Sequence, residues 1–542
     1  MTATAFAPNH TTPTSAAGHA ITKLSVRQLR RGALIVAAVC AGMSALVAVQ
    51  YQTTFNDALD QSALQSLTEN PAIRILFGPP VALDDAGGFT VWRTGMPVLL
   101  LAGVWILIAA TRITRGEEDA GRVDLILAGR VSLRGVVLRT LTAVGGAAVL
   151  IAAAVGVAMF AAGTNATGSA VYAGAILGFT LTFGSGAVLA SQIMPTRSAA
   201  VGVTVGLLGV AFLTRMLADG VPALAWTAWT TPFGLTARAA PYADNRVGPL
   251  LVMGCVAIAF ALAAPYAAQH RDVGHGLIRV ATGRAPRTTL LGSITGFAIR
   301  RAIRPTAGWA VGIAAYFLLL GALIASILEF FDTNRRFAEL AAAAGFAGLD
   351  SATGFAAALF GLLAIPTSLY AATRLAALVT DERDRRWTPV LATEVSRIRL
   401  AGTEIVVTTA GLLLLHASAG LSMWAGAAIT GAPLTMGDAL GGALYPASVA
   451  WLAVGAASLA VGWLPSAVAA IGAVPVAGGF VFNVLASNAD APTWVAGLSP
   501  FAHLAAVPNA APDWAATGGF AVIGAALIAA GMVGYSRRDL TT

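Results

Sequence analysis

Lysine occurs once in this chain, at Lys23, and cysteine twice, at Cys40 and Cys255. Only 11% of the 542 residues are charged, against 57% hydrophobic. A soluble domain carries about a quarter charged residues, so too little charge is present here to cover a water-facing surface. Each scarcity excludes something. The two cysteines lie far apart inside apolar runs with no CxxC, which argues against a disulfide framework or a zinc site and favours small buried apolar side chains. Leu24 follows the single lysine and no GxxxxGK[ST] occurs, so the chain has no phosphate-cradling loop of that kind and no ATPase motif. His10 and His19 sit in a polar tail, and His270, His275, His416 and His503 are dispersed. No cluster of Asp, His or Arg marks a membrane-embedded enzyme. The expectation is a non-enzymatic chain with no metal and no cofactor of its own.

What is abundant is apolar sequence in runs near the ~20 residues that cross a bilayer as helix. They fall at roughly 32–50, 92–111, 135–161, 169–192, 197–218 and 248–268, then at 307–328, 354–379, 400–428, 438–463, 465–486 and 517–535. The fold class expected is an all-α polytopic membrane protein with about twelve transmembrane helices, six per half. Lys23, Arg27, Arg30 and Arg31 precede the first run and resemble the start of a signal peptide. The run is longer than the usual signal core, and Arg300, Arg301 and Arg304 precede a similar run mid-chain. We therefore expect an uncleaved first helix. The organisation expected is a disordered tail over 1–19, a first half over 20–268 opening with an amphipathic elbow at 20–31, a linker and second elbow over 269–305, and a second half over 306–542.

The net charge of +8 is explained by the positive-inside rule and implies no nucleic-acid partner. The N-terminal tail, the 112–134 connection, the 269–305 segment (Arg271, Arg279, Arg284, Arg287, Arg300, Arg301, Arg304) and the end (Arg537, Arg538) are expected in the cytoplasm. The 51–90 loop, with Asp57, Asp60, Glu69, Asp84 and Asp85, is expected outside. Both termini then lie inside a plasma membrane, and the halves run parallel.

The halves also echo each other. In one register Glu117 meets Asp381, Glu118 meets Glu382, Arg122 meets Arg386, Leu127 meets Leu391, and Ser132 meets Ser396. Further on, Pro232–Phe233 matches Pro500–Phe501, and Arg271–Asp272 matches Arg538–Asp539. The common order points to a duplication.

The richest part of the repeat is TRGEEDAGRVDLILAG, 114–129, echoed by TDERDRRWTPVLATEV. As a helix it aligns Val123, Ile126 and Leu127 on one face, and Trp387, Val390 and Leu391 in the second copy. Glu118 and Arg122, four apart, are expected to pair. Such a segment is too charged to span and belongs at the cytoplasmic interface. A solvated loop whose arginines set topology accounts for the basic residues. It leaves unexplained why acids open both copies.

On Thr114, Arg115, Glu117, Glu118, Gly121, Arg122 and the following VDLILAGRVS, the segment resembles the one after the second helix in permeases of ABC-2-type exporters. The whole chain resembles actinobacterial polyketide-antibiotic (tetronasin-type) and multidrug efflux permeases. The resemblance implies an ATP-driven exporter of hydrophobic or amphipathic small molecules. Each copy would be a coupling helix docking on one of two copies of a separate ABC ATPase subunit, which holds the ATP and Mg. It implies contacts at Glu117, Glu118, Arg122, Val123 and Ile126, and at Asp381, Glu382, Arg386, Trp387 and Val390. The second copy departs from the pattern: Arg385 stands at the position of Gly121 and Pro389 at that of Leu125, so its docking geometry is expected to differ.

Elsewhere, the GxxxG stretches 174–178, 202–206 and 308–312 are expected to let helices pack closely. Trp226, Trp229, Trp494 and Trp514 near the Pro–Phe pairs are expected as interfacial anchors. The intramembrane polar residues read from the sequence are Gln192, Glu329, His416 and Asn483. His416 and Asn483 are the candidates for a substrate path, with interhelical hydrogen bonding the plainer role. The scarcity of buried charge argues against a proton relay. The rival reading is a proton-coupled secondary drug exporter of the major-facilitator type, also two parallel six-helix halves; its GxLxDR motif is absent here.

Overall fold

In a computed structural model the described residues are 13–55, 74–75, 78–129, 131–278, 288–333, 348, 350–488 and 492–539. The expectations placed on residues 1–12, Asp57, Asp60, Glu69, Arg279, Arg284 and Arg287 lie outside them. All regular structure among the described residues is helical, and the protein is an all-α polytopic membrane protein. Contacts divide it into two compact units, Met1–Arg284 and Ala285–Thr542.

The first unit contains α1 (Pro13–Gln50), α2 (Ala86–Ile113), the short α3 (Arg115–Asp119) and α4 (Arg122–Leu127), α5 (Leu133–Ala161), α6 (Ala166–Ile193), α7 (Arg197–Gly220), α8 (Pro232–Ala239) and α9 (Gly248–Gln269). The second contains α10 (Ile294–Thr333), α11 (Ala352–Arg383), α12 (Thr388–Leu391), α13 (Arg397–Thr430), α14 (Met436–Leu444), α15 (Ala447–Trp463), α16 (Val468–Ala473), α17 (Gly479–Asn488), α18 (Thr493–Ala496) and α19 (Trp514–Arg537). Both elbows run without a break into the first long helix of their unit.

Each unit repeats one packing scheme. In the first, α1 packs on α5, and α6 packs on both α2 and α9. In the second, α10 packs on α13, and α15 packs on both α11 and α19. First span on third, and fourth span on second and last, is thus common to both. Polar caps set the helix starts: Asp85 accepts from Gly87 and Gly88 N–H, Asn165 from Thr167 and Gly168, Ser132 from Gly135, and Ser396 from Arg399. Glycine brings α10 and α13 into backbone contact. A Cβ on Gly321 would lie 2.0 Å from the Met423 carbonyl oxygen, and one on Gly426 2.1 Å from that of Leu318. Of the three GxxxG stretches, only 174–178 packs inside its unit, with Gly178 against Met253; Gly202, Gly206, Gly308 and Gly312 have nothing within 4 Å of a built Cβ.

Eleven helices among the described residues are long and apolar enough to cross a membrane. The run at 465–486 differs from the rest. Helix runs through it without a gap, α16 passing into a wide π-turn over Val474–Gly478 and then into α17. Pro475 has no N–H for the ladder, and the widened turn accommodates it.

Candidate functional site: a buried charge latch in each unit

The first copy of the charged segment departs from the single helix expected. α3 ends at Asp119, Gly121 turns the chain with φ +69°, and α4 begins at Arg122. Glu118 and Arg122 therefore lie on different helices and do not pair. Arg122 instead donates to Glu117, from Nε at 2.6 Å and Nη2 at 2.9 Å, and Gln28 of the elbow donates to the same carboxylate at 3.2 Å. That hydrogen bond lifts the Arg122 guanidinium above its ordinary pKa.

Glu118 points inward. Its side chain is 4% exposed and that of its partner Arg271 is 2% exposed. Arg271 donates Nη1 to Oε1 at 2.5 Å and Nη2 to Oε2 at 2.7 Å, and the Gly274 N–H donates to Oε1 at 2.6 Å. Arg115, fully buried, lies 3.2 Å from both Glu118 and Asp119, and donates to the carbonyls of Pro195, Gly274 and His275. Gln192 accepts from Arg271 Nη2 at 2.7 Å, and Asp119 accepts from the Arg197 N–H at 2.8 Å. The carboxylate thus fastens the α3–α4 segment to the chain leaving α9, 153 residues away. A bidentate guanidinium–carboxylate pair with further N–H donors is the arrangement that offsets the desolvation of two buried ions.

The second unit rebuilds the latch. Arg538, just past α19, donates Nη2 to both oxygens of buried Glu382 at 2.6 Å. It is held in turn by Arg397 on its carbonyl and packs over the Tyr535 ring. Arg386 donates to Asp381 at 2.9 Å, the counterpart of Arg122 on Glu117. Arg301 of the second elbow takes the place of Gln28, pairing with Asp381 and with Glu404. Arg301 also stacks on the Trp387 ring at 4.5 Å, and Arg374 reaches Glu404 at 3.0 Å. Where the first copy has Gly121, Arg385 adopts the same left-handed backbone with φ +55°. The expected difference at this position is therefore confined to the side chain, and the turn is kept. Pro389 falls at the start of α12, where its missing N–H costs nothing.

The apolar faces point as expected. Val123 and Trp387 are buried, and Ile126, Leu127, Val390 and Leu391 are half-buried. The outward face carries Arg122, Asp124 and Leu125 in one copy and Arg386, Thr388 and Pro389 in the other. Leu125 is 79% exposed.

His416 is fully buried, with Nδ1 bonded to the Ala443 carbonyl at 2.6 Å and Nε2 to Thr367 at 3.0 Å. Asn483 is half-buried in α17. Neither lines an apolar crevice of about 700 Å³ in the second unit bordered by Leu412, Leu444, Tyr445, Trp451, Trp514 and Thr517. Buried charge is more plentiful than the sequence reading held: Arg215 and Asp219 in α7, Arg374 in α11 and Glu404 in α13 are all buried and all ion-paired. Cys40 is buried and Cys255 exposed on α9, neither in a disulfide. Trp226, Trp229, Trp494 and Trp514 are exposed, whereas Phe233 is buried against Phe179, Phe183 and Phe212.

Residues 291–536 match the family described as multidrug efflux system permease Rv1217c, C-terminal domain. The chain is 29% identical over 497 residues to the multidrug efflux system permease protein Rv1217c of Mycobacterium tuberculosis (strain ATCC 25618 / H37Rv), across 88% of this chain and 87% of that protein. Over most of its length the chain is thus similar to a multidrug efflux permease.

Proposed function

We propose that this chain is the permease of an ATP-driven exporter of the ABC-2 type, moving hydrophobic or amphipathic small molecules, antibiotics and drugs among them, out of the cell. Two copies of a separate ATPase subunit supply the energy, one docking on each charged segment at the cytoplasmic face of the plasma membrane. The observation that carries the reading is the repeated latch. Each unit uses a buried carboxylate, Glu118 or Glu382, to fix a short segment whose outward face, among the described residues, meets no other element of its own unit. A topology loop needs no such fixing, whereas a lever does.

The latch changes the roles within the segment. Glu118 and Glu382 are positioning residues, and so are the buried Val123 and Trp387. The contact surface is Arg122, Asp124 and Leu125 in one copy and Arg386, Thr388 and Pro389 in the other, steadied by Glu117, Asp381, Ile126 and Val390. Closure of the ATPase pair would pull on α3–α4 and α12, and through Arg271 and Arg538 on the last helix of each unit, biasing the bundle between two arrangements. The apolar crevice of about 700 Å³ has the size and lining of a small-molecule site. His416, with both ring nitrogens engaged, holds helices together and is no longer a substrate candidate of choice.

Mild-detergent purification of the tagged chain from its native host tests the reading. Recovery of a P-loop ATPase in about two copies per chain is expected. Drug flux driven by a proton gradient through the isolated chain would replace it with the secondary-transporter reading.

A further inference from the structure

A second charged cluster lies at the other end of the first unit. α7 begins at Arg197, whose N–H caps Asp119 of the latch, and Arg215 follows eighteen residues later, about 27 Å along the axis. There Arg215, 2% exposed, pairs with Asp219, 8% exposed. Arg74 and Arg238 also lie within electrostatic reach of that carboxylate. Among the described residues one acid thus faces three guanidinium groups, and positive charge is in excess. Arg215 Nη1, Arg74 Nε and Arg238 Nε are buried and have no hydrogen-bond partner, the mark of donors awaiting an acceptor.

Of these three residues, Arg215 is the one that lines a cavity. Arg215 lines a space of about 60 Å³ together with Gly78, Trp92, Met96, Tyr172 and Phe233. Gly78 has φ +97°, and a Cβ there would lie 2.0 Å from Arg215 Nη2, so only glycine lets the backbone close over the guanidinium. Trp92 is held in place by donating to the Gly78 carbonyl at 3.2 Å. The space suits a head group of a few heavy atoms and is far below the ~300–1,000 Å³ of a whole small-molecule site. Its walls are otherwise mainly apolar, with Thr236 and the Tyr172 hydroxyl, buried and without a hydrogen-bond partner, as further polar groups.

We propose that this is a binding site for an anionic oxygen group, carboxylate or phosphate, at the end of an otherwise apolar molecule. The Arg215 guanidinium takes the oxygens, the charge of Arg74 and Arg238 nearby favours an anion, and the apolar part of the walls admits the first carbons of the tail. The proposal concerns the first unit alone and does not depend on how transport is powered.

The test is equilibrium binding of radiolabelled dodecanoate, dodecyl phosphate and dodecanol to the full chain in phosphatidylcholine nanodiscs at pH 8, corrected for empty discs. Both anions are expected to bind at least tenfold more tightly than dodecanol. The charge-neutral double variant Arg215→Gln/Asp219→Asn should abolish the preference. Arg238→Gln, which leaves the Arg215–Asp219 pair intact but removes the bond to the Ala225 carbonyl, should weaken it several-fold while dodecanol binding stays as in the parent. Competition by phosphatidylglycerol in the disc would identify a lipid head as the source, and competition by inorganic phosphate a free anion. Equal binding of dodecanoate and dodecanol, or an undiminished preference in Arg238→Gln, overturns the proposal.

Discussion

Replacing Glu118 by glutamine removes the carboxylate that Arg271 pairs with among the described residues. The substitution conserves shape, so its cost is electrostatic. Arg271 and Arg115 stay behind with side chains 2% and 0% exposed. Leaving a buried charge unpaired costs about 3–5 kcal/mol, and each ~1.4 kcal/mol is tenfold in an equilibrium. Arg115, Asp119 and Val123 still hold the α3–α4 segment to the unit, so that cost falls on local opening of the segment more than on the whole bundle. Hydrogen exchange in nanodiscs should show amides 115–128 and 272–278 exchanging at least tenfold faster, with the distant α5 core unchanged. Glu118→Gln/Arg271→Gln should recover part of the protection, because neutral partners need no counter-charge. Charge reversal separates the two copies. Glu382→Arg/Arg538→Glu rebuilds a pair, since the position matching Arg115 is the apolar Val379. Glu118→Arg/Arg271→Glu sets the new guanidinium against Arg115, 3.2 Å from the present carboxylate, and should stay open. Exchange within twofold of the parent in Glu118→Gln would refute the reasoning.

Other outcomes follow from the backbone. Gly121→Ala should cost about 1 kcal/mol, because its φ of +69° is left-handed and nothing lies within 4 Å of the added Cβ. Arg385→Gly should be neutral or raise the thermal midpoint, since it relieves the same strain at φ +55°. Gly426→Val should abolish the monodisperse peak in size-exclusion chromatography, its Cβ falling 2.1 Å from a carbonyl oxygen. Gly202→Ala, with open space around it, should elute as the parent does.

The spans and the repeat register were legible because hydropathy and duplicated spacing are written along the chain. The apolar faces of Val123 and Trp387 were legible for the same reason. The pairing of Glu118 was not. The four-residue rule assumes one helix, and the turn at Gly121 places Glu118 and Arg122 on two. Its true partner is 153 residues away, and the one local trace of it was that Arg271 and Arg538 recur at corresponding ends. Arg374, Glu404, Arg215 and Asp219 were passed over because one charge in an apolar run hardly lowers its mean. The π-turn at Pro475 was not legible because hydropathy is blind to a lost backbone hydrogen bond.

The central claim is that the motor seats on the outward faces held by the two latches. Site-specific photo-cross-linking tests it most directly, with p-benzoylphenylalanine at Leu125 or at Pro389 in the native membrane. The account predicts that each position alone traps a P-loop ATPase subunit, and that Glu118→Gln suppresses the adduct at Leu125 while sparing the one at Pro389. An ATPase that co-purifies with the chain yet is trapped at neither position would contradict it.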